Sequence, residues 1–163
     1  MSSRKRIHHY SESYTFVTDT GINYYCRFNE VTNLYAPILG AYDIKLIDFS
    51  FFPDEESPPA DYITGNIVCD LIRENFRDNK YVMTYVCDES DGRQKLRQYK
   101  FQKWCERYLD DFAFQPINLK IETASDPIFR YVGILTHPEF THEEALEYHL
   151  IRNIPGIVAD KMG

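Results

Sequence analysis

Two short runs near the start of the chain alternate apolar and polar residues, as β-strands with one buried face do. In residues 14–18, Tyr14 and Phe16 share one face, and in residues 22–28 one face carries Ile22, Tyr24, Cys26 and Phe28. Gly21 lies between the two runs and can adopt the positive φ that a tight turn requires. The pattern therefore predicts a β-hairpin, followed by a third strand over residues 44–52, which are rich in isoleucine and phenylalanine.

The middle of the chain changes from a period of two to the period of a helix. Apolar residues from Ile63 to Phe76 recur at helical spacing, and the pair Asp78–Asn79 is expected to end this helix. Residues 81–87 are almost continuously apolar, which is typical of a central strand covered on both faces. A second helix is predicted to extend to about residue 110, because its apolar residues form one stripe: Phe101, Trp104, Cys105 and Tyr108.

The last part of the chain predicts a second hairpin and a final helix. Residues 112–122 and 128–136 are strand-like, and a capping box that starts at Thr141 indicates a helix over about residues 142–152. The resulting order is β-β-β-α-β-α-β-β-α. It predicts an α+β fold with a mixed, mostly antiparallel sheet and helices on both faces. Residues 1–12 are expected to be a polar lead, and residues 13–163 a single domain.

The composition of the chain argues against several classes of protein. The chain has 163 residues, 13 Tyr, 11 Phe and a net charge of −7, and an acidic chain argues against nucleic-acid binding. No apolar stretch is long enough to span a membrane, and the N-terminus lacks the apolar core of a secretory signal. The four cysteines include no C-x-x-C pair. We therefore expect reduced thiols in a cytoplasmic protein.

The order β-β-β-α-β-α-β-β resembles the core of the GNAT acyltransferase superfamily. In that family the helix after the third of these strands presents backbone amides to the pyrophosphate of acetyl-CoA, through the motif Arg/Gln-x-x-Gly-x-Gly/Ala. The equivalent stretch here, residues 61–72, has one glycine and no basic residue. The resemblance implies that Thr64, Gly65 and Asn66 would contact the cofactor, and that Tyr108 would protonate the leaving thiolate. Because the spaced glycines are missing, no cofactor is expected unless an atypical loop binds acetyl-CoA.

A second, narrower resemblance covers residues 85–104. This segment is similar to the pattern Cys-Asp-x-x-Asp-Gly-x-x-x-x-Arg…Phe-x-x-Trp of a small uncharacterised Bacteroidetes family. The resemblance implies a bacterial host and supplies no activity.

The turn between the central strand and the second helix is the strongest candidate for a binding site. It combines a thiol, carboxylates and basic groups, and ligands of open α/β sheets often lie beyond such strand ends. The candidate ligand- or partner-binding residues are Asp88, Asp91, Arg93, Arg97 and Lys100. The alternative is structural: Asp88, Ser90 or Asp91 caps the helix, and Cys87 packs in the strand. Whether Cys87 is reactive is left open, because a nucleophilic thiol needs a nearby base or cation.

Six of the 18 basic residues lie between Arg93 and Arg107, beside Tyr99 and Trp104. This basic stripe is either a solvated helix face or a surface for a protein or small anionic ligand. No convergent set of metal ligands is recognisable, since the histidines after residue 136 lack the H-E-x-x-H spacing.

Three hypotheses remain from the sequence. The first is a GNAT-like module that binds a protein or ligand near the second helix, without the usual acetyl-CoA loop. The second is an active N-acyltransferase with an atypical loop, so that enzymatic activity is left open. The third is an aromatic interaction surface that forms a homodimer. An open cleft where the central strands diverge beside the first helix would favour the enzyme, and a filled one would favour the module.

Overall fold

The computed structural model describes residues 11–18, 21–31, 42–53, 62–87 and 92–149. Within these residues the chain forms six strands and three helices. Their bounds are β1 (Ser11–Val17), β2 (Asn23–Glu30), β3 (Lys45–Pro53), α1 (Tyr62–Asn75), β4 (Tyr81–Val86), α2 (Gln94–Tyr108), β5 (Ala113–Ile121), β6 (Ile128–Thr136) and α3 (Glu143–His149).

The six strands form one sheet in the order β1-β2-β3-β4-β6-β5. β3 and β4 are parallel, and every other neighbouring pair is antiparallel. A parallel pair needs a crossover connection, which α1 provides between β3 and β4. The predicted α+β class and the mixed, mostly antiparallel sheet are therefore confirmed.

The two faces of the sheet carry separate apolar cores, because side chains along a strand alternate between the faces. On one face the strands pack against α1 and α2, and the centre of this larger core contains Phe28, Ile47, Phe49, Ile72, Met83, Phe101 and Leu135. On the other face, Leu146 of α3 and Phe140 pack against residues of β3, β4 and β6, including Leu46, Val82, Val132 and Ile134. Helices therefore lie on both faces, as the sequence predicts.

The first hairpin has the predicted glycine turn. Gly21 has a φ of +82°, which an L side chain rarely adopts. Its N–H donates to the carbonyl of Thr18 at 2.9 Å, and the Thr18 N–H donates to the carbonyl of Ile22 at 3.1 Å. These bonds close the turn between β1 and β2.

The predicted end of the first helix and the predicted cap of the second need correction, whereas the predicted end of the final helix is not tested. The first helix ends at Asn75 rather than at Asp78–Asn79, because the Phe76 N–H bonds the carbonyl three residues back and tightens the last turn. The N-cap of α2 is Arg93, with no side-chain cap, and the predicted caps Asp88, Ser90 and Asp91 lie outside the described residues. The final helix is described as far as His149, so the predicted end at residue 152 also lies outside them.

Candidate functional site

The central strands β3 and β4 stop pairing at one end of the sheet. Their ladder ends at Phe49 and Tyr85, while β3 continues to Pro53 in contact with β2. Aromatic rings pack over this end. The Phe101 ring lies 4.6 Å from Tyr85 and 5.8 Å from Phe49 between centroids. Among the described residues, this face of the diverging strands is therefore filled core rather than an open cleft.

The three residues predicted to contact acetyl-CoA lie in the first turns of α1. Gly65 is buried against the indole of Trp104, and a Cβ atom there would lie 2.5 Å from ring atoms. Thr64 is only 3% exposed, and its Oγ1 has no hydrogen-bond partner among the described residues. Asn66 is exposed. These three residues do not form an open cradle, because the glycine backbone that would approach a phosphate is covered by a ring.

Tyr108 lies at the other end of α1 from the predicted cofactor residues. Its carbonyl accepts a hydrogen bond from Arg73 Nη2 at 3.1 Å. Arg73 is eight residues after Gly65, so the two positions are about 12 Å apart along the helix axis. The ring of Tyr108 is partly buried against the larger core, and the Arg107 guanidinium lies 5.4 Å from its centroid. The backbone of Tyr108 therefore lies beside Arg73, near the C-terminal end of α1, whereas Thr64, Gly65 and Asn66 lie near its N-terminal end.

Cys87 directly follows β4 and has a buried thiol. Its N–H donates to the carbonyl of Tyr131 at 3.0 Å, and the side chain is 1% exposed. Burial raises the pKa of Cys87 to about 12, although the charge of Arg97 acts in the opposite direction. The thiol is therefore protonated near neutral pH and is a poor nucleophile.

The basic candidates lie along α2. Arg93 is exposed at the N-cap, Arg97 is half-buried, and Lys100 Nζ lies 5.3 Å from the centroid of the Trp104 ring. Asp88 and Asp91 lie outside the described residues. Trp104 itself is partly buried, because its ring packs edge-on against Phe51 with 5.6 Å between centroids and also packs against Gly65.

The solvent side of α2 also presents apolar groups. Leu96 is 60% exposed and Tyr99 is 57% exposed, and Lys103 Nζ lies 5.4 Å from the Tyr99 ring centroid. We define the α2 outer surface as Leu96, Tyr99, Lys100, Lys103 and Arg107, which helical spacing places on one side of the helix. Sequence reasoning missed Leu96, although its position opposite the stripe of Phe101 and Cys105 on a helical wheel was a usable signal.

The described part of the chain supports neither a metal site nor a membrane-spanning helix. No group of three or more His, Cys, Asp or Glu side chains in it is arranged to hold a metal ion. None of its helices is both long enough and apolar enough to cross a bilayer.

The comparisons with known proteins identify one related family. Residues 62–141, just under half of the chain, match a family of unknown function (DUF6169). The match runs from α1 to the residues before α3 and includes the segment 85–104 that carried the predicted resemblance. It supports a relationship to an uncharacterised family and specifies neither a host nor an activity. No curated protein and no solved structure matches the chain.

Proposed function

We propose that this domain is an interaction module on a GNAT-like scaffold, and that its α2 outer surface binds an acidic segment of a partner protein. One observation carries the proposal: Leu96 and Tyr99 are each more than half exposed in the N-terminal half of a basic helix. Exposed apolar groups ringed by charges are typical of protein-binding surfaces. Tyrosine is also among the residues that most often dominate binding energy.

The charge distribution supports an acidic partner. From residue 93 to residue 108 the sequence contains six basic residues and one acid, Glu106, whereas the whole chain has a net charge of −7. Complementary charge speeds association and excludes basic partners. The negative charge of the rest of the chain disfavours the long phosphate backbone of a nucleic acid. A convex helix also encloses a small anion poorly, because small ligands bind in concave sites.

Two features support the GNAT-like scaffold. The helix α1 is the next described element after β3, as the family resemblance implies, and β3 diverges from β4 after Phe49 on the face where this helix packs. The rings of Tyr85 and Phe101 that pack over the diverging strands support a binding module rather than an enzyme with an open cleft.

A peptide selection would test the partner chemistry. Random twelve-residue peptides displayed on phage would be selected on the protein, and the enriched peptide synthesised with a fluorescein label. We expect enriched peptides that combine Asp or Glu with a large apolar residue. Enrichment of basic peptides, or tighter binding of a single-stranded oligothymidylate, would contradict the proposal.

Variants would locate the binding surface. The double variant Leu96→Ser/Tyr99→Ser should weaken peptide binding by about tenfold or more in fluorescence anisotropy. The variant Lys103→Glu/Arg107→Glu should weaken it through charge. Val17→Ser/Phe129→Ser is the matched control, because both side chains are similarly exposed on other elements. Equal loss of binding in the control and in the α2 variants would overturn the assignment of the surface.

The acyltransferase alternative rests on Thr64. A buried hydroxyl without a partner among the described residues, in the first turn of a helix, is a group that a bound ligand could satisfy. The ring of Trp104 lies against Gly65 and argues against this alternative, because it covers the backbone that a phosphate would approach. Isothermal titration with millimolar acetyl-CoA separates the two: absence of binding heat supports the module, whereas binding together with acetyl transfer to an amine would establish the enzyme.

A further inference from the structure

A cavity of about 750 Å³ lies at the start of α3. Its volume is within the range of small-molecule sites. The described groups that line it are mostly aromatic rings and carboxylates, and those used below are Tyr42, Phe140, His142, Glu143, Glu144 and Tyr148. None of them belongs to α2, so the cavity is separate from the proposed partner surface.

The rings around the cavity come from three parts of the chain. The His142 ring neighbours two of the others, with its centroid 5.9 Å from that of Tyr42 and 6.2 Å from that of Phe140. Tyr148 follows Glu144 by one helical turn and is 61% exposed. Aromatic faces carry a negative quadrupole that attracts organic cations within about 6 Å of the ring centroid.

The charged groups at the cavity also favour a cation. Glu143 and Glu144 contribute carboxylates, and no Lys or Arg is among the described lining residues. The nearby ammonium of Lys80 is held by the Asp43 carboxylate at 2.6 Å. The Asp43 carboxylate also interacts electrostatically with His142. Acidic side chains in the first turn of a helix interact favourably with the helix dipole. This interaction alone does not explain why aromatic rings surround the acids of α3.

We propose that this cavity binds an organic ammonium ion, with the alkylated nitrogen against Tyr42 and Tyr148 and with its charge balanced by Glu143 and Glu144. Aromatic rings combined with carboxylates are the chemistry that recognises quaternary and alkylated ammonium groups. The site is independent of the partner surface, because α3 packs on the opposite face of the sheet from α2.

The test compares choline with 3,3-dimethylbutan-1-ol, which has the same shape but no charge. Binding would be followed by shifts of the backbone amide signals of residues 141–145 in ¹⁵N-labelled protein. We expect saturable shifts with choline and an affinity for the neutral alcohol that is weaker by about fivefold or more. Equal affinity for the two probes, or no saturable shift with choline, would overturn the proposal.

A pair of matched variants ties the binding to the rings. Tyr148→Leu keeps an apolar side chain and removes the quadrupole, so choline affinity should fall about fivefold. Tyr25→Leu is the control, because Tyr25 is also an exposed tyrosine but lies on β2, outside both proposed sites. Glu143→Gln/Glu144→Gln should also weaken choline binding and leave the neutral alcohol unchanged. If Tyr148→Leu binds choline as tightly as the control does, the cavity is not a cation site.

Discussion

The indole of Trp104 lies directly against the backbone of Gly65, so that a methyl group at Gly65 would stand 2.5 Å from the ring carbon Cδ1 and from Nε1. The ring cannot move away easily, because Phe51 holds it edge-on at 5.6 Å. The glycine therefore serves the close approach of α1 and α2. This role explains why a single glycine is sufficient in a stretch where a phosphate cradle would need several.

Gly65→Ala should destabilise the domain, although alanine is ordinarily the better helix former by about 1 kcal/mol. The overlap with Trp104 forces the two helices apart, and such overpacking costs about 1–3 kcal/mol. We expect a lower midpoint of urea unfolding with an unchanged slope.

The double variant Gly65→Ala/Trp104→Leu is the control for this prediction. A smaller side chain on α2 makes room for the methyl group, so the two changes should be less than additive in unfolding free energy. Strict additivity would mean that the alanine acts through the helix alone and that the contact with Trp104 is unimportant.

The four thiols should not react in the native protein. Cys26, Cys69, Cys87 and Cys105 are all buried, and burial raises the pKa of each thiol well above its ordinary value. Dithionitrobenzoate at pH 8 should therefore detect no thiol within minutes, and all four after addition of guanidinium chloride. Fast release of one equivalent from the native protein, absent in Cys87→Ser, would show that Cys87 is reactive.

The elements could be predicted from the sequence because burial imposes its own spacing. Tyr24, Cys26 and Phe28 alternate since one face of β2 is buried, and Val68 and Ile72 recur on α1 since one side of that helix meets the sheet. Helix ends are less predictable. The Phe76 N–H can bond Arg73 in a tight last turn or continue the helix, and the apolar pattern is the same in both cases.

The candidate site was harder to predict because it depends on contacts between distant segments. A lone Gly65 has the same local sequence whether a phosphate or Trp104 lies against it, and only the packing of α2 decides. Leu96 is exposed because no other described element covers that side of α2, which spacing alone does not reveal. The separation of Tyr108 from Thr64 likewise follows from how α1 runs beside α2.

Asp111→Asn should destabilise the junction between α1 and β5. The carboxylate of Asp111 accepts two hydrogen bonds from the Arg73 guanidinium, both at 3.2 Å. These bonds hold the pKa of Asp111 below its ordinary value of 3.8. Both side chains are about half exposed, so the expected loss is about 0.5–1 kcal/mol at pH 7.

The pH dependence of that loss has a definite sign. A lowered carboxyl pKa stabilises the folded state above 3.8, and this contribution disappears as the pH falls through the folded pKa. The difference between wild type and Asp111→Asn should therefore shrink in acid, and also in high salt. Asp110→Asn is the control, because Asp110 acts on Arg73 through its charge alone. A difference that grows in acid would contradict this interpretation of the ion pair.

Gln98→Glu should produce a stability that falls as the pH rises. The amide of Gln98 is 7% exposed and donates to the carbonyls of Val132 at 2.9 Å and Ile117 at 3.3 Å, which links α2 to β5 and β6. A carboxylate at this position would face two carbonyl oxygens without a donor, whereas a carboxylic acid can still donate one hydrogen bond. The pKa of the new side chain should therefore be raised in the folded state. Wild-type and variant stabilities should be close below about pH 4.3, and should separate by about 3 kcal/mol as the pH rises through the folded pKa. Gln115→Glu, on the exposed side of β5, should show no such separation. If urea unfolding finds the same pH profile for both variants, Gln98 does not bond the strands in solution.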